Sequence, residues 1–276
     1  MELKFTKMQG LGNDFMVIDQ INQDFEPNPE QIKAWSDRNT GIGFDQLLLV
    51  SEPTKTGVEF RYRIFNADGS EVEQCGNGAR CFARFVAEKG LTQNRSIPVE
   101  TCTGNILLEL KEDDNVTVNM GQPILAPDAI PLMADSAAET YEFLVDNTAY
   151  QLSCISMGNP HGVLLVNNTE TAPVNKLGPR LENHPKFPNR ANIGFMQIID
   201  RSSIKLRVFE RGVGETRACG TGACAAAVAA IQRGLTDNVV AVTLPGGTLQ
   251  IEWQGGNAPV LMTGPATTVY EGILVI

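Results

Sequence analysis

The sequence has little that would suit a metal centre, a membrane span or a nucleic-acid surface. Its 276 residues include only two histidines, and no two of its six cysteines have the Cys-x-x-Cys spacing of many zinc sites. The net charge is −10, from 22 basic and 32 acidic residues, which disfavours general binding to a phosphate backbone. The apolar runs, such as Leu47 to Val50, are far shorter than a membrane span. We therefore expect no metal, no nucleic acid and no membrane among its partners.

The cysteines have two possible uses. A chain with 42% hydrophobic residues can build a core and does not need disulfide staples. The N-terminus lacks the apolar segment of a secretory signal, so we expect a cytoplasmic protein whose thiols stay reduced. The cysteines are then either buried packing residues or reactive groups: Cys75, Cys81, Cys102, Cys154, Cys219 and Cys224.

The sequence contains an internal repeat of two copies. With Cys75 aligned to Cys219, at an offset of 144 positions, many residues coincide: Arg63 with Arg207, Phe65 with Phe209, Glu71 with Glu215, Gly76 with Gly220, and Gly78 with Gly222. At slightly different offsets, Leu11-Gly12-Asn13 resembles Met157-Gly158-Asn159, and Ile42–Gln46 resembles Ile193–Gln197. Two copies of this length predict two similar domains. We place them at residues 1–118 and 119–264, with residues 265–276 returning to the first.

Each copy predicts the same order of elements. Residues 60–65 and 204–209 alternate like strands, and an apolar helix follows each Cys-Gly-x-Gly motif and ends at Gly90 or Gly234. A helix that is apolar on all sides should be buried on all sides. We expect an α/β protein of the α+β type with two pseudo-symmetric domains. Each would be a mixed β-sheet wrapped around a central apolar helix, with the active site in the cleft between them.

The two Cys-Gly-x-Gly turns are the strongest functional signal. The free N–H groups at a helix N-terminus attract an anion, and the same field favours a thiolate. One such cysteine is as readily a small buried residue at a tight turn. A matched pair favours chemistry, because inverting a stereocentre needs one group to remove a proton from one face and another to supply a proton on the opposite face.

The chain resembles the diaminopimelate epimerase family along its whole length. The motifs that carry the resemblance are Leu11-Gly12-Asn13-Asp14-Phe15, Ile42-Gly43-Phe44-Asp45-Gln46, Asn66-Ala67-Asp68-Gly69-Ser70, Cys75 to Cys81, Met157 to His161, Arg190-Ala191-Asn192, Glu210-Arg211-Gly212 and Ala218 to Gly222. The resemblance implies interconversion of LL- and meso-2,6-diaminopimelate in lysine and peptidoglycan-precursor synthesis, without pyridoxal phosphate or metal.

The resemblance also assigns roles to residues. Cys75 and Cys219 would be the catalytic pair, and His161 and Glu210 would assist proton transfer. The substrate would be bound by Asn13, Gln46, Asn66, Gly76, Asn77, Asn159, Asn192, Glu210, Arg211, Gly220 and Thr221. These side chains suit a substrate with two carboxylates and two ammonium groups, because amides both donate and accept and an arginine holds a carboxylate at two points. A homodimer is implied as well, with Tyr270 as a contact.

Three alternatives remain at this point. A proline or hydroxyproline racemase would share the paired cysteine turns, but its substrate lacks the second charged end that Arg211 would bind. An isomerase of the phenazine-pathway type would share the fold without the cysteine pair. A redox-sensing or binding protein could use the two thiols as a switchable disulfide.

Overall fold

A computed structural model describes residues 2–72, 75–102 and 104–276. The first elements in chain order are β1 Glu2–Gly10, β2 Asn13–Asp19, α1 Pro29–Ser36, β3 Gln46–Ser51, β4 Phe60–Asn66, β5 Glu71–Val72, α2 Gly76–Glu88, β6 Ser96–Thr101, β7 Gly104–Leu110 and β8 Val116–Asn119. After a 3₁₀ turn at Pro127–Ala129 come β9 Tyr141–Val145, β10 Thr148–Ser156, β11 Pro160–Leu165, α3 Val174–Glu182, β12 Asn192–Asp200, β13 Ser203–Glu210, β14 Gly214–Thr216, α4 Gly220–Gln232, β15 Val239–Leu244, β16 Gly247–Glu252, β17 Leu261–Gly264 and β18 Thr267–Val275.

The chain forms two compact units. One contains Met1–Asn119 and Thr263–Ile276, and the other contains Met120–Met262. The boundaries expected from the repeat lie one or two residues away from these bounds. That the units are separate domains stays a prediction.

The two units have the same ladder of strands. In the first unit, neighbouring strands run β18, β1, β2, β3, β4, β6, β7, β8, and only the β2–β3 and β4–β6 pairs are parallel. In the second unit they run β9, β10, β11, β12, β13, β15, β16, and the β11–β12 and β13–β15 pairs are parallel. Each sheet is therefore mixed, and the parallel steps fall at equivalent places. The predicted fold class is confirmed.

The ladders correct one part of the sequence alignment. Gln46 on β3 pairs with Phe15 and with Asn66. In the second unit, Asn192 on β12 pairs with His161, and the next residue pairs with Phe209. Gln46 is therefore equivalent to Asn192, and the match of residues 42–46 with residues 193–197 is wrong. By the same registers Phe15 is equivalent to His161 and Asn66 to Glu210.

One buried helix lies at the centre of each unit. α2 packs against β1, β2, β3, β4, β7, β8 and β18, and α4 packs against β10, β11, β12, β13, β15 and β16. Ten residues of each helix are buried, so the expectation of helices buried on all sides is confirmed. Both end as predicted, because Gly90 and Gly234 adopt positive φ angles of 67° and 66° just beyond the last turn.

A second, smaller helix covers the outer face of each sheet. Ile32 on α1 belongs to a buried cluster with Met16, Ile18 and Leu47. Leu177 and Leu181 on α3 belong to the equivalent cluster of the second unit. Strands between two helical layers are buried on both faces, which explains why Leu47 to Val50 is a continuous apolar run.

The last strand belongs to the first unit. β18 pairs antiparallel with β1, and Gly272 packs so closely on Phe5 that a β-carbon would lie 2.4 Å from the ring. The buried Arg80 on α2 donates from Nε to the Pro265 carbonyl at 3.1 Å. β9 occupies the matching place beside β10 in the second unit. Among the residues described, no helix has the length and apolar character needed to cross a bilayer.

Candidate active site

Cys75 is the N-cap of α2. Its backbone is extended, and its half-buried sulfur accepts a hydrogen bond from the Gly78 amide at 3.4 Å. A β-carbon at Gly78 would lie 2.4 Å from the Tyr62 hydroxyl oxygen, so only glycine permits this helix start. The motif therefore fixes the thiol at the first turn of a buried helix, where backbone N–H groups are free to bind an anion.

Neutral amides surround Cys75. The Cys75 thiol lies 3.7 Å from Asn13 Oδ1, which also accepts from Asn77 Nδ2 at 3.2 Å. At the adjacent strand ends, Gln46 Nε2 donates to Asn66 Oδ1 at 3.0 Å. Gly76 begins the helix directly after the cysteine. The structure thus brings Asn13 and Asn77 together with Cys75, and it pairs Gln46 with Asn66.

Cys219 is the N-cap of α4 and is buried more deeply, with 4% of its surface exposed. Gly220 begins the helix, and the Thr221 hydroxyl oxygen lies 3.6 Å from the Cys219 sulfur. A β-carbon at Gly222 would lie 3.1 Å from that sulfur. A close approach therefore meets the second glycine of each motif, tighter at Gly78 than at Gly222, and the neighbour differs between the units.

A helix N-terminus favours a thiolate, but the surroundings of Cys219 act against ionisation. Burial raises the pKa of the Cys219 thiol well above its ordinary value, and the negative charge of Glu210 raises it further. Hydrogen bonds from Thr221 and from the Gly222 amide act in the opposite direction but do not prevail. Desolvation and the neighbouring carboxylate thus oppose the effect of the helix N-terminus on this sulfur.

His161 is a buried histidine in the second unit. Its Nε2 lies 3.0 Å from Asn159 Oδ1, and 1% of its surface is exposed. Burial, together with the positive charge of Arg211, lowers the pKa of His161 to about 3. His161 is therefore a neutral imidazole at physiological pH, able to donate from one nitrogen and accept at the other.

The turn between β13 and β14 carries Arg211. The Arg211 amide donates to Asn192 Oδ1 at 2.9 Å, and Arg211 Nη1 donates to the Asn189 carbonyl at 3.0 Å. The next amide, of Gly212, donates to the buried Glu182 carboxylate at 2.8 Å. The backbone of this turn is thus held at two points, while the guanidinium group remains exposed.

Two matched ion pairs support the strands that lead to the cysteines. Arg63 Nε contacts Glu71 at 3.0 Å in the first unit, and Arg207 Nε contacts Glu215 at 2.6 Å in the second. Glu210, at the end of β13, accepts from the Thr216 hydroxyl on β14. The duplicated arginines are therefore structural residues, which bind their own strand pair.

Sequence reasoning missed two carboxylates next to predicted site residues. Asp45 accepts from Asn13 Nδ2 at 2.9 Å, and Glu182 holds the turn that carries Arg211. Asp45 stands inside a motif that carried the family resemblance, so a signal was present. Glu182 lies in a helix without any motif. That the groups around Cys75 and Cys219 form one cleft stays a prediction.

No group of three or more histidine, cysteine or carboxylate side chains suited to a metal occurs in the described part of the chain. All six cysteines are free thiols.

Comparisons with known proteins identify the relatives of this chain. The sequence profile of the diaminopimelate epimerase family matches residues 5–126 and 153–269. The diaminopimelate epimerase of Pseudomonas aeruginosa strain LESB58 is 61% identical, with 99% of each chain covered. That of Azotobacter vinelandii is 60% identical over the same share of both chains.

Solved structures with the same fold are distant in sequence. A Bacillus anthracis phenazine biosynthesis protein of the PhzF family has a TM-score of 0.70 and 16% identity, and each chain is covered completely. A hydroxyproline epimerase from Agrobacterium vitis, with bound trans-4-hydroxy-L-proline, has a TM-score of 0.70 and 12% identity, covering 99% of this chain and 92% of its own. At such identities these structures establish the fold only.

Proposed function

The chain belongs to the diaminopimelate epimerase family, and from that premise we propose that it interconverts LL- and meso-2,6-diaminopimelate in lysine and peptidoglycan-precursor synthesis. The observation that carries the proposal is the pair of cysteines, one at the N-cap of each buried helix. Packing alone does not require cysteine at both positions. A reaction that removes a proton from one face of a carbon and supplies one to the other needs an acid–base group at each position, which cysteine can be.

We propose that Cys75 and Cys219 are the acid and base of a two-base reaction. In one direction the thiolate of one cysteine takes the α-proton, and the thiol of the other gives a proton to the opposite face of the carbanion. The product leaves the two cysteines with exchanged protonation states. The reaction needs one thiol and one thiolate at the same time, so the two ionisations belong to the pair. The two units would be domains that face each other across a cleft.

The helix N-termini would stabilise the carbanion. The α-hydrogen of an amino acid is very weakly acidic, so negative charge must be stabilised as it develops. The amides of the first turns of α2 and α4 are oriented before the substrate arrives and cost no reorganisation during the reaction. We propose that they bind the carboxylate at the reacting carbon, with Gly76, Asn77, Gly220 and Thr221 at the contacts.

The far end of the substrate would be held by the polar side chains of both units. We propose that Arg211, whose side chain is exposed, binds a carboxylate at two points. Asn13, Gln46, Asn66, Asn159 and Asn192 would bind the remaining ammonium and carboxylate groups. Glu210 and His161 would assist Cys219, because Glu210 acts on its thiol and neutral His161 lies at the same strand ends.

Exchange of the substrate α-hydrogen in deuterated water tests this function. We expect exchange and epimerisation with diaminopimelate and neither with proline or hydroxyproline. Exchange with proline in place of diaminopimelate would favour the racemase alternative. A protein without exchange on any of the three would be a sensor or a binding protein.

We also propose that the reaction needs no cofactor. The pair Cys75 and Cys219 would supply the acid and the base. The two helix N-termini, bound to the substrate carboxylate, would supply the charge stabilisation. Activity should survive dialysis against a chelator and treatment with a carbonyl reagent that removes pyridoxal phosphate. Loss of activity in either treatment, restored by the removed group, would contradict this part of the proposal.

A homodimer is proposed through β18. This strand exposes Val269, Ile273 and Val275, with 55%, 57% and 84% of their surfaces accessible, and Tyr270 packs edge-on against Phe5. Apolar side chains exposed in a row are typical of a protein contact. Sedimentation should show a dimer that Ile273→Asp weakens; a wild-type monomer at micromolar concentration would contradict it.

We place the enzyme in the cytoplasm, because two-base chemistry needs both cysteines reduced. Cell fractionation would test this, and recovery with the cytosolic marker enzymes is the expected result.

A further inference from the structure

Asn13 has two different neighbours at the two ends of its amide group. Its Nδ2 donates to Asp45 Oδ2 at 2.9 Å. Its Oδ1 faces the Cys75 thiol at 3.7 Å and accepts from Asn77 Nδ2 at 3.2 Å. An amide that turned over would present a donor to the cysteine instead of an acceptor.

Asp45 prevents that turn. A carboxylate has no hydrogen to donate, so only the NH₂ end of Asn13 can face it. Asp45 is kept in place by Arg38, whose Nη2 donates to Asp45 Oδ1 at 2.7 Å, and by the Asp14 amide, which donates to Asp45 Oδ2 at 3.1 Å. Asn77 does not decide the orientation by its chemistry, because an amide side chain carries both a donor and an acceptor.

Asp14 anchors this network to the buried part of the unit. Arg38 binds both oxygens of Asp14, at 2.9 and 2.8 Å, and the buried Lys7 lies 2.6 Å from Asp14 Oδ2. Burial raises the pKa of Asp14, but hydrogen bonds from Arg38 and Lys7 outweigh burial. They hold that pKa far below its ordinary range. Asp14 therefore remains ionised near neutral pH and keeps its contacts with Arg38 and Lys7.

We propose that Asp45 is a positioning residue that acts through Asn13 to hold Cys75 as a thiol in the substrate-free protein. The sulfur then accepts from the Gly78 amide and donates to Asn13 Oδ1, so both hydrogen-bonding functions of a neutral thiol are used. The meaning for catalysis rests on the proposed function. In the first turnover a neutral Cys75 would be the proton donor, and Cys219 would first have to lose its proton, with the assistance proposed for Glu210 and His161.

Two other titratable groups that interact with Cys75 in the described part of the chain, Tyr62 and Cys81, do not provide this control. Burial raises the pKa of the Tyr62 hydroxyl well above its ordinary value, and burial raises the pKa of the Cys81 thiol to about 12. Both groups are uncharged near neutral pH. Among the described residues, the charged groups of the network that reaches Cys75 through Asn13 are Asp45, Arg38, Asp14 and Lys7.

The rate of alkylation of Cys75 as a function of pH tests the proposal, since iodoacetamide reacts with the thiolate. The tryptic peptide of residues 64–80 contains Cys75 and no other cysteine, so mass spectrometry reads this residue alone. In Asp45→Asn, Asn13 is free to turn and donate to the thiolate. We expect the pH midpoint of alkylation to fall by about one unit. The readout needs no epimerase activity, so it stays informative if the proposed function fails.

A double-mutant cycle separates the amide from the charge. If Asp45 acts through Asn13, Asp45→Asn should shift the midpoint in the wild-type background and leave it unchanged in an Asn13→Ala background. An equal shift in both backgrounds would mean that the charge of Asp45 acts through space, and it would overturn the proposal. So would an unshifted midpoint in Asp45→Asn.

Two further variants complete the test. Asp19→Asn is the matched control, because Asp19 also accepts from nearby N–H groups in the first unit but has no contact with Asn13. It should keep the wild-type midpoint. Asp45 is 43% exposed, so its replacement should be tolerated. If Asp45→Asn nevertheless misfolds, Asp45→Ser supplies a neutral donor and should give the same shift; a wild-type midpoint there would overturn the proposal.

Discussion

At three equivalent strand-end positions the first unit carries Phe15, Asn66 and Ala67, and the second carries His161, Glu210 and Arg211. The backbone around the two cysteines is nevertheless the same: an extended N-cap, two glycines and a buried helix. The duplication has therefore kept the backbone that presents a thiol and changed the groups that surround it. Cys75 is half-buried among amides, whereas Cys219 is buried beside ionisable groups.

The comparison also shows two ways to orient one asparagine. Asn13 is oriented by the Asp45 carboxylate, whereas its equivalent Asn159 is bonded to the His161 ring. Ala191 stands at the position equivalent to Asp45 and is buried. A pair of thiols that must hold different protonation states benefits from such unequal surroundings, because identical sites would have the same thiol pKa.

The largest effect should come from removing either thiol. Cys75→Ala and Cys219→Ala should each lower kcat/KM by about 10³-fold or more in both directions, because a missing acid or base stops the proton transfer. Cys81→Ala and Cys224→Ala are matched controls inside the same two helices and should remain active. Similar losses in all four variants would attribute the effect to stability.

Glu210→Asn makes the second unit resemble the first at a residue whose charge acts on the Cys219 thiol. We expect kcat/KM to fall by about 10²-fold, because the proposed assistance to proton transfer is lost. The pKa of Cys219 should fall at the same time, since the negative charge that raises it is removed. Alkylation of Cys219 at an unchanged pH midpoint would show that Glu210 does not act on the thiol.

Arg211→Ala copies Ala67 and should have a smaller effect. The loss of a charge-assisted contact to a substrate carboxylate should lower kcat/KM by about 10- to 100-fold. We expect kcat to fall as well as KM to rise, because binding at the far end positions the reacting carbon. Wild-type steady-state kinetics would place Arg211 outside the site.

His161→Phe copies Phe15 and should change stability with pH. The folded-state pKa of about 3 lies below the unfolded value near 6.5, so the unfolded chain binds the extra proton between these values. Wild-type stability from this residue is present above pH 6.5 and is lost as the pH falls towards 3. As the pH falls through that window, the free energy of unfolding of the variant should decrease by up to about 1.4 kcal/mol per pH unit less than that of the wild type. Urea titrations at pH 4.5 and 6.5 measure this difference. An equal change in the free energy of unfolding between the two pH values in wild type and variant would contradict the low pKa.

The repeat was visible in sequence because motifs with glycine and cysteine tolerate few replacements. It predicted the central helices, their glycine ends at Gly90 and Gly234, and the mixed sheets. Local similarity misled at residues 42–46. The Ile-Gly-Phe segment of the second unit lies five positions beyond the place that the strand register assigns to it. The strand register, which depends on pairing between distant segments, settles that equivalence.

Two kinds of feature could not be read from the sequence. β9 and β18 occupy matching places at opposite ends of their units' chain order, so a linear alignment of the copies does not pair them. The contacts of Asp45 with Asn13, and of Glu182 with Gly212, join segments 30 or more residues apart. Side chains that support a site in this way follow from the fold, whereas the groups proposed to meet the substrate stood in recognisable motifs.

The two-base account requires that Cys75 and Cys219 approach the same carbon from opposite faces, and disulfide mapping after mild oxidation tests this most directly. Without substrate the two sulfurs should join, so the oxidised, inactive protein should link the tryptic peptides of residues 64–80 and 218–233. Reductant should restore activity, and bound diaminopimelate should protect. A disulfide from Cys75 to Cys81, or from Cys219 to Cys224, in place of that link would contradict the account.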